Sequence, residues 1–183
     1  MNLPNALTLL RVALIPVFIV FLMSDSFYIA AGIFIVASIT DALDGHIARS
    51  KNLVTNFGKI MDPLADKLLV VSALVCLTEL GIIPGWMVIV ILAREFTITG
   101  LRSVAASSGI VIAAGFSGKL KTVAQMVAIT LILLENWPFI YLGIPMDQIV
   151  LWIAVALTVY SGMEYIVKNR AAFSMKGDGE AKK

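Results

Sequence analysis

The sequence predicts an all-α, polytopic membrane protein in which six transmembrane helices surround a polar cavity that faces the cytoplasm. Apolar residues make up 60% of the 183 residues, and the mean hydropathy is +0.95, whereas soluble domains contain roughly 45–50% apolar residues. These residues gather into stretches of about 20, the length that a helix needs to cross a hydrocarbon core of roughly 30 Å. Helices are expected because lipid offers the backbone no hydrogen-bond partner.

Six apolar stretches follow one another along the chain. They lie at about 4–23, 27–48, 61–80, 83–105, 119–137 and 147–167. No basic segment or small-residue cleavage site marks a signal peptide, so the first stretch is expected to remain in the protein. We expect one membrane domain at 1–170 and a disordered tail at 171–183, since the tail is polar and contains glycine.

The charged residues predict the orientation. The segments that follow the first, third and fifth stretches contain no Lys or Arg. Their charges are all acidic: Asp25, Glu79, Glu135 and Asp147. The basic residues cluster at the opposite ends of the stretches, and basic loops stay in the cytoplasm. Both termini are therefore predicted to be cytoplasmic, together with the second-to-third and fourth-to-fifth connections.

Four carboxylates interrupt the apolar pattern on that same side. Asp41 and Asp44 are spaced i, i+3, and Asp62 and Asp66 are spaced i, i+4, so each pair shares one face of a helix. An Asp at bilayer depth costs roughly 2.5–3.5 kcal/mol, and four without compensation would cost on the order of 10 kcal/mol. Two facing acidic pairs form an oxygen-rich site suited to hard divalent cations.

Small and basic residues accompany the carboxylates. Gly45 and Gly58 allow a ligand or a second helix to approach the backbone closely, and Arg49 can pair with a carboxylate or a phosphate. Structural alternatives exist for single residues. Asp62 before Pro63 could cap a helix N-terminus, and Arg49 could serve only to set orientation. None of these alternatives explains all four carboxylates and both glycines together.

Four further cations lie near the predicted cytoplasmic ends of the fourth and fifth stretches. They are Arg94, Arg102, Lys119 and Lys121. Arg and Lys clusters bind phosphate through charge-assisted hydrogen bonds. The alternative is that each residue extends along the helix to the membrane surface and only anchors its helix there.

The acidic run, D-x-x-D-G-x-x-A-R-x8-G-x3-D-x3-D, resembles the signature of the CDP-alcohol phosphatidyltransferase family. The resemblance implies that two Mg²⁺ or Mn²⁺ ions are bound by Asp41, Asp44, Asp62 and Asp66. It also implies that Asp66 is the general base. The residues that it places at the cytidine diphosphate are Gly45, Ala48, Arg49 and Gly58, with Asn5 and Thr8 from the first stretch.

Three other segments resemble a bacterial branch of that family whose acceptor is sn-glycerol 3-phosphate. They are Asn2–Arg11, A-R-E-x5-G-L-R at 93–102 and G-K-L-K-T at 118–122. The resemblance implies transfer of a phosphatidyl group from CDP-diacylglycerol to sn-glycerol 3-phosphate, with the acceptor phosphate at the four cations. It further implies that the protein is a homodimer in a bacterial inner membrane, where it contacts membrane lipids. No nucleic-acid partner is expected.

Two alternatives stay open. Another acceptor would give a cardiolipin, phosphatidylserine or inositol-phosphate synthase, although the basic residues favour a phosphorylated acceptor over serine. A divalent-cation channel or transporter could use the acidic cluster, but it would not need Gly45, Ala48, Arg49 and Gly58 in fixed register.

Overall fold

The computed structural model describes residues 3–50, 56–107 and 115–173. Within these ranges the chain forms six α-helices, one short 3₁₀ helix and no strand. The α-helices are α1 (Leu3–Met23), α2 (Phe27–Ser50), α3 (Asn56–Glu79), α4 (Gly85–Ser107), α5 (Phe116–Leu133) and α6 (Met146–Phe173), and the 3₁₀ helix is Phe139–Leu142. The predicted all-α class is confirmed.

The helices follow the order of the six predicted apolar stretches but differ at their ends. α5 ends at Leu133 rather than near 137, because Glu135 and Asn136 adopt positive φ angles of 51° and 60°. The side chain of Asn136 then bridges to the start of α6. Its Nδ2 donates to the carbonyl of Ile144 at 2.7 Å, and its Oδ1 accepts from the backbone N–H of Asp147 at 3.2 Å. α6 extends to Phe173, so the first three residues of the predicted tail are helical, and 174–183 lie outside the described residues.

The apolar helices fit a membrane protein. Among the described residues, the segments Phe116–Leu133 and Met146–Asn169 are long and apolar enough to cross a bilayer, and Thr8–Met23 and Phe27–Thr40 are shorter apolar segments. Large apolar side chains are exposed along the helices, with Ile89 68% and Val167 65% exposed. The full set of six spans and their orientation stay predictions.

A buried apolar core fixes how the helices pack. It draws on the second halves of α1, α3 and α5 and the first halves of α2, α4 and α6, which is the pattern of helices that alternate in direction. Phe18 of α1 and Phe34 of α2 lie with ring centroids 6.0 Å apart, and α4 and α5 both pack against α6. We call this part of the bundle the apolar half. The opposite halves of the six helices form the polar half.

Candidate functional site

The acidic run lies in the polar half. Asp41 and Asp44 are in the second half of α2, and Asp62 and Asp66 are in the first half of α3. Because both segments are α-helical, each pair lies on one side of its helix, and four carboxylates are oxygen donors that suit Mg²⁺ or Mn²⁺. The helix assignments also cover Gly45, Ala48, Arg49 and Gly58. The side chains of all these residues, and residues 51–55, lie outside the described residues.

No metal-binding group is found elsewhere among the described side chains, where no three His, Cys, Asp or Glu residues come together. The carboxylates of the acidic run are not among these described side chains. The metal and cytidine-diphosphate assignments therefore stay predictions, consistent with the helical spacing of the donors.

α1 contributes two buried polar side chains to the polar half. Thr8, predicted at the cytidine diphosphate, is 1% exposed, and the side chain of Asn5 lies outside the described residues. Arg11 is also 1% exposed, and its Nε donates to the carbonyl of Ala37 at 3.3 Å. This bond fixes α1 to α2 one turn before Asp41. In the sequence, the feature that indicates a buried role for Arg11 is its position as a charged residue inside an apolar helix.

A cavity of about 810 Å³ lies between α3, α4, α5 and α6 in the polar half. Its described wall carries five cationic side chains and two carboxylates. The cations are Lys67, Arg94, Arg102, Lys119 and Lys168, and the carboxylates are Glu95 and Glu164. Ligand sites in proteins occupy roughly 300–1,000 Å³, so the cavity is large enough for a small phosphorylated molecule. The excess of cations favours an anion. We call it the basic cavity.

The structure brings together three of the four predicted phosphate-binding residues. Arg94, Arg102 and Lys119 line the basic cavity, but Lys121 does not. Lys121 is 3% exposed and faces a smaller cavity of about 150 Å³ between α3, α4 and α5. The reason is helical geometry, since residues two apart are separated by roughly 200° around an α-helix. Lys119 and Lys121 therefore point to different sides of α5.

Glu95 of α4 is the anion that makes the burial of Lys121 possible. Its Oε1 accepts a hydrogen bond from Lys121 Nζ and another from Arg94 Nη1, the latter at 3.0 Å. The side chain of Arg94 is 15% exposed and that of Glu95 is 20% exposed. Buried charges are stable only with a partner of opposite sign. Glu95 therefore holds one cation in the helix interface and a second at the edge of the basic cavity.

α3 and α6 add residues that the sequence pattern does not predict. Lys67 lines the basic cavity and donates from Nζ to Thr99 Oγ1 of α4. It directly follows Asp66, so the helix that carries half of the acidic run also forms a wall of this cavity. On α6, Glu164 accepts hydrogen bonds from Ser117 Oγ and Lys168 Nζ. The sequence feature that could have indicated Glu164 is a single carboxylate in an apolar stretch with Lys168 four residues later.

Comparison with known proteins identifies the chain's relatives. Residues 1–160 match the model of a protein family described as CDP-alcohol phosphatidyltransferase. A Bacillus subtilis (strain 168) protein named CDP-diacylglycerol–glycerol-3-phosphate 3-phosphatidyltransferase is 49% identical over 183 residues, covering 92% of this chain and 95% of the relative. A Rickettsia typhi protein of the same name is 43% identical over 177 residues, covering 94% and 99%. A Mycobacterium tuberculosis protein named probable phosphatidylglycerophosphate synthase is 41% identical over 173 residues, covering 91% and 81%.

Proposed function

The chain belongs to the CDP-alcohol phosphatidyltransferase family, and from that premise we propose that it transfers the phosphatidyl group of CDP-diacylglycerol to sn-glycerol 3-phosphate. The products are phosphatidylglycerophosphate and CMP. The observation that carries the proposal is the 41–49% identity, over at least 91% of the chain, to proteins named for this reaction or this product. The basic cavity supports it independently, because its charge suits a phosphorylated acceptor.

The basic cavity is proposed as the acceptor site. Arg94, Arg102 and Lys119 come from two helices, so they can surround a phosphate from more than one direction. Each charge-assisted hydrogen bond contributes about 1.5–3 kcal/mol. A dianionic phosphate satisfies several of these donors at once, whereas serine offers no comparable anion. The cavity therefore favours a phosphorylated alcohol among the possible acceptors.

The acidic run is proposed to hold two ions, Mg²⁺ or Mn²⁺, on Asp41, Asp44, Asp62 and Asp66, in a family that is generally dependent on divalent metals. Bound ions would offset the charge of the substrate pyrophosphate and of the departing CMP. Gly45, Ala48, Arg49, Gly58, Asn5 and Thr8 are proposed to line the cytidine-diphosphate pocket.

The transfer is proposed to proceed by direct attack. The basic residues hold the acceptor phosphate and so orient the hydroxyl at the other end of the acceptor, which lowers the entropic part of the barrier. Asp66 takes the hydroxyl proton. The acceptor oxygen then bonds to the lipid-linked phosphorus as the bond from that phosphorus to the CMP oxygen breaks. None of the fixed positions in the signature D-x-x-D-G-x-x-A-R-x8-G-x3-D-x3-D is a Ser, Cys or Lys that could form a covalent intermediate.

The proposed setting is a bacterial inner membrane that all six helices cross, with both termini and the site on the cytoplasmic side. The positive-inside rule supports this orientation. So does the location of the acidic run and the basic cavity in the same half of the bundle. A homodimer is proposed on the family resemblance alone, and no nucleic-acid partner is expected.

The test is CMP release by the purified protein with CDP-diacylglycerol and a panel of acceptors. We expect sn-glycerol 3-phosphate to support turnover, and glycerol, serine, inositol phosphate and phosphatidylglycerol to be poor acceptors. Faster turnover with any of these four would assign a different branch of the family. Divalent-cation flux across proteoliposomes without CMP release would instead support the transporter alternative.

A further inference from the structure

Arg94 lies at the meeting point of three helices. It extends from α4 toward α5 and α6, and its Nη1 donates to Glu95 at 3.0 Å. Its Nε is buried and has no hydrogen-bond partner among the described residues. A buried donor without a partner is unfavourable, so hydrogen bonding alone does not account for the position of this side chain.

Two glycines on the neighbouring helices border the Arg94 side chain. A Cβ placed at Gly162 of α6 would lie 3.1 Å from Arg94 Cγ, and a Cβ placed at Gly118 of α5 would lie 3.5 Å from Arg94 Nη2. The first distance is closer than most real Cβ contacts, and the second is an ordinary van der Waals contact. Gly162 therefore leaves room for the arginine stem, and Gly118 leaves room for its guanidinium.

The backbone does not explain the glycine at 162. Gly162 lies inside α6 without a positive φ angle, where alanine is more favourable than glycine. The space that it leaves for Arg94 is the evident use of the missing side chain. Gly32 of α2 differs in this respect, because a Cβ there would meet no described atom within 4 Å.

We propose that Gly162 is a positioning residue, which sets acceptor affinity by leaving the space in which Arg94 reaches the wall of the basic cavity. The inference rests on the proposed function, because it takes Arg94 as a ligand of the acceptor phosphate. Gly162 touches no substrate in this scheme and acts only through the arginine. Gly118 forms the opposite, looser side of the same space.

The variant Gly162→Ala tests the proposal. The added methyl group forces the Arg94 stem to shift by a few tenths of an ångström. Since misplacement of about 1 Å can cost about 100-fold, we expect a rise of about 3–10-fold in the KM for sn-glycerol 3-phosphate. The KM for CDP-diacylglycerol should stay unchanged, and thermal stability should stay equal or increase, because alanine favours the helix. Loss of stability with both KM values raised together would overturn the proposal.

Two controls separate positioning from general disturbance. Gly32→Ala makes the same helical substitution away from Arg94 and should leave both KM values unchanged. In an Arg94→Ala background, Gly162→Ala should add no further change in acceptor KM, since residues that act through one contact are not additive. An equal rise in both backgrounds would contradict the proposal. Gly118→Ala provides a second variant, with a smaller rise that is also lost in the Arg94→Ala background.

The same measurements distinguish failure of the inference from failure of the proposed function. If Arg94→Ala raises the acceptor KM and Gly162→Ala does not, the positioning role is wrong and the acceptor site stands. If Arg94→Ala leaves the acceptor KM unchanged, Arg94 is not a phosphate ligand. The acceptor site and the inference then fail together.

Discussion

In the apolar half of the bundle, the deeply buried side chains are large apolar ones such as Phe18, Leu77 and Ile129. In the polar half, the deeply buried side chains include the cations Arg11 and Lys121. The same six helices supply both sets. Apolar packing holds the helices together in one half. In the other half each described buried cation has a defined partner, with Arg11 bonded to a carbonyl and Lys121 to a carboxylate.

α4 shows the difference within one helix face. Met87 and Ile91 are buried in the apolar core, and the following turns of the helix present Glu95 and Arg102 to the basic cavity. Charges in a helix interface are costly unless they are paired, so their concentration in one half needs a reason. The proposed site for an anionic substrate would be such a reason. The polar half should therefore control activity, and the apolar half should control stability.

The largest effect is expected from the acidic run. Asp41→Asn, Asp44→Asn and Asp62→Asn should each nearly abolish turnover, because each removes a charged oxygen ligand from the proposed ion sites. Thermal stability should change little. Leu77→Ala, in the apolar core, is the matched contrast and should lower the unfolding temperature while both KM values stay near those of the parent. Normal turnover in any two of the Asn variants would contradict the two-ion assignment.

The next largest effect distinguishes the proposed general base, Asp66, from the carboxylates that are proposed only to bind the metal ions. Asp66→Asn should lower kcat by roughly 10²–10⁴, since a general base acts mainly in the transition state. The affinity for CDP-diacylglycerol should fall much less, and direct lipid-binding measurements can check this. A variant that binds no CDP-lipid but turns over normally at saturating substrate would make Asp66 a binding residue only.

A third prediction tests whether a partner of opposite charge is what allows a cation to be buried in the polar half. Glu95→Gln leaves Lys121 buried without an anionic partner, and breaking a buried pair in this way costs roughly 3–5 kcal/mol. The unfolding temperature should fall. The acceptor KM should rise, because Arg94 has lost its carboxylate partner. Adding Lys121→Met should restore most of the unfolding temperature, while the acceptor KM stays raised. Unchanged stability in Glu95→Gln would show that Lys121 does not depend on this carboxylate.

The pattern of apolar residues within each segment was enough to predict the helices, but it did not predict which residues of different helices contact each other. The order of the six helices follows from runs of apolar residues. Arg94, Arg102 and Lys119, grouped from the sequence as phosphate ligands, line one cavity, and their binding role stays a prediction. Lys121 faces away because side-chain direction depends on position around the helix. That difference was already present in its spacing of two from Lys119.

The remaining site residues depend on tertiary packing. Glu164 and Lys168 reach the basic cavity only because α6 packs against α4 and α5. The role proposed for Gly162 depends on a contact between α6 and α4, where a Cβ at residue 162 would lie 3.1 Å from Arg94 Cγ. Periodicity describes one helix at a time. It does not show which helices meet, so such pairs could not be predicted from the sequence.

The most direct test of the basic cavity as the acceptor-phosphate site compares sn-glycerol 3-phosphate with glycerol in the parent and in Arg102→Ala. Arg102 is an exposed residue of α4 at the cavity wall. Removing a charge-assisted contact of about 1.5–3 kcal/mol should raise the KM for sn-glycerol 3-phosphate by roughly 10–150-fold. The KM for CDP-diacylglycerol and the weak turnover with glycerol should hardly change. Equal use of the two acceptors by the parent, or a parallel rise in the KM values of both substrates, would contradict the account.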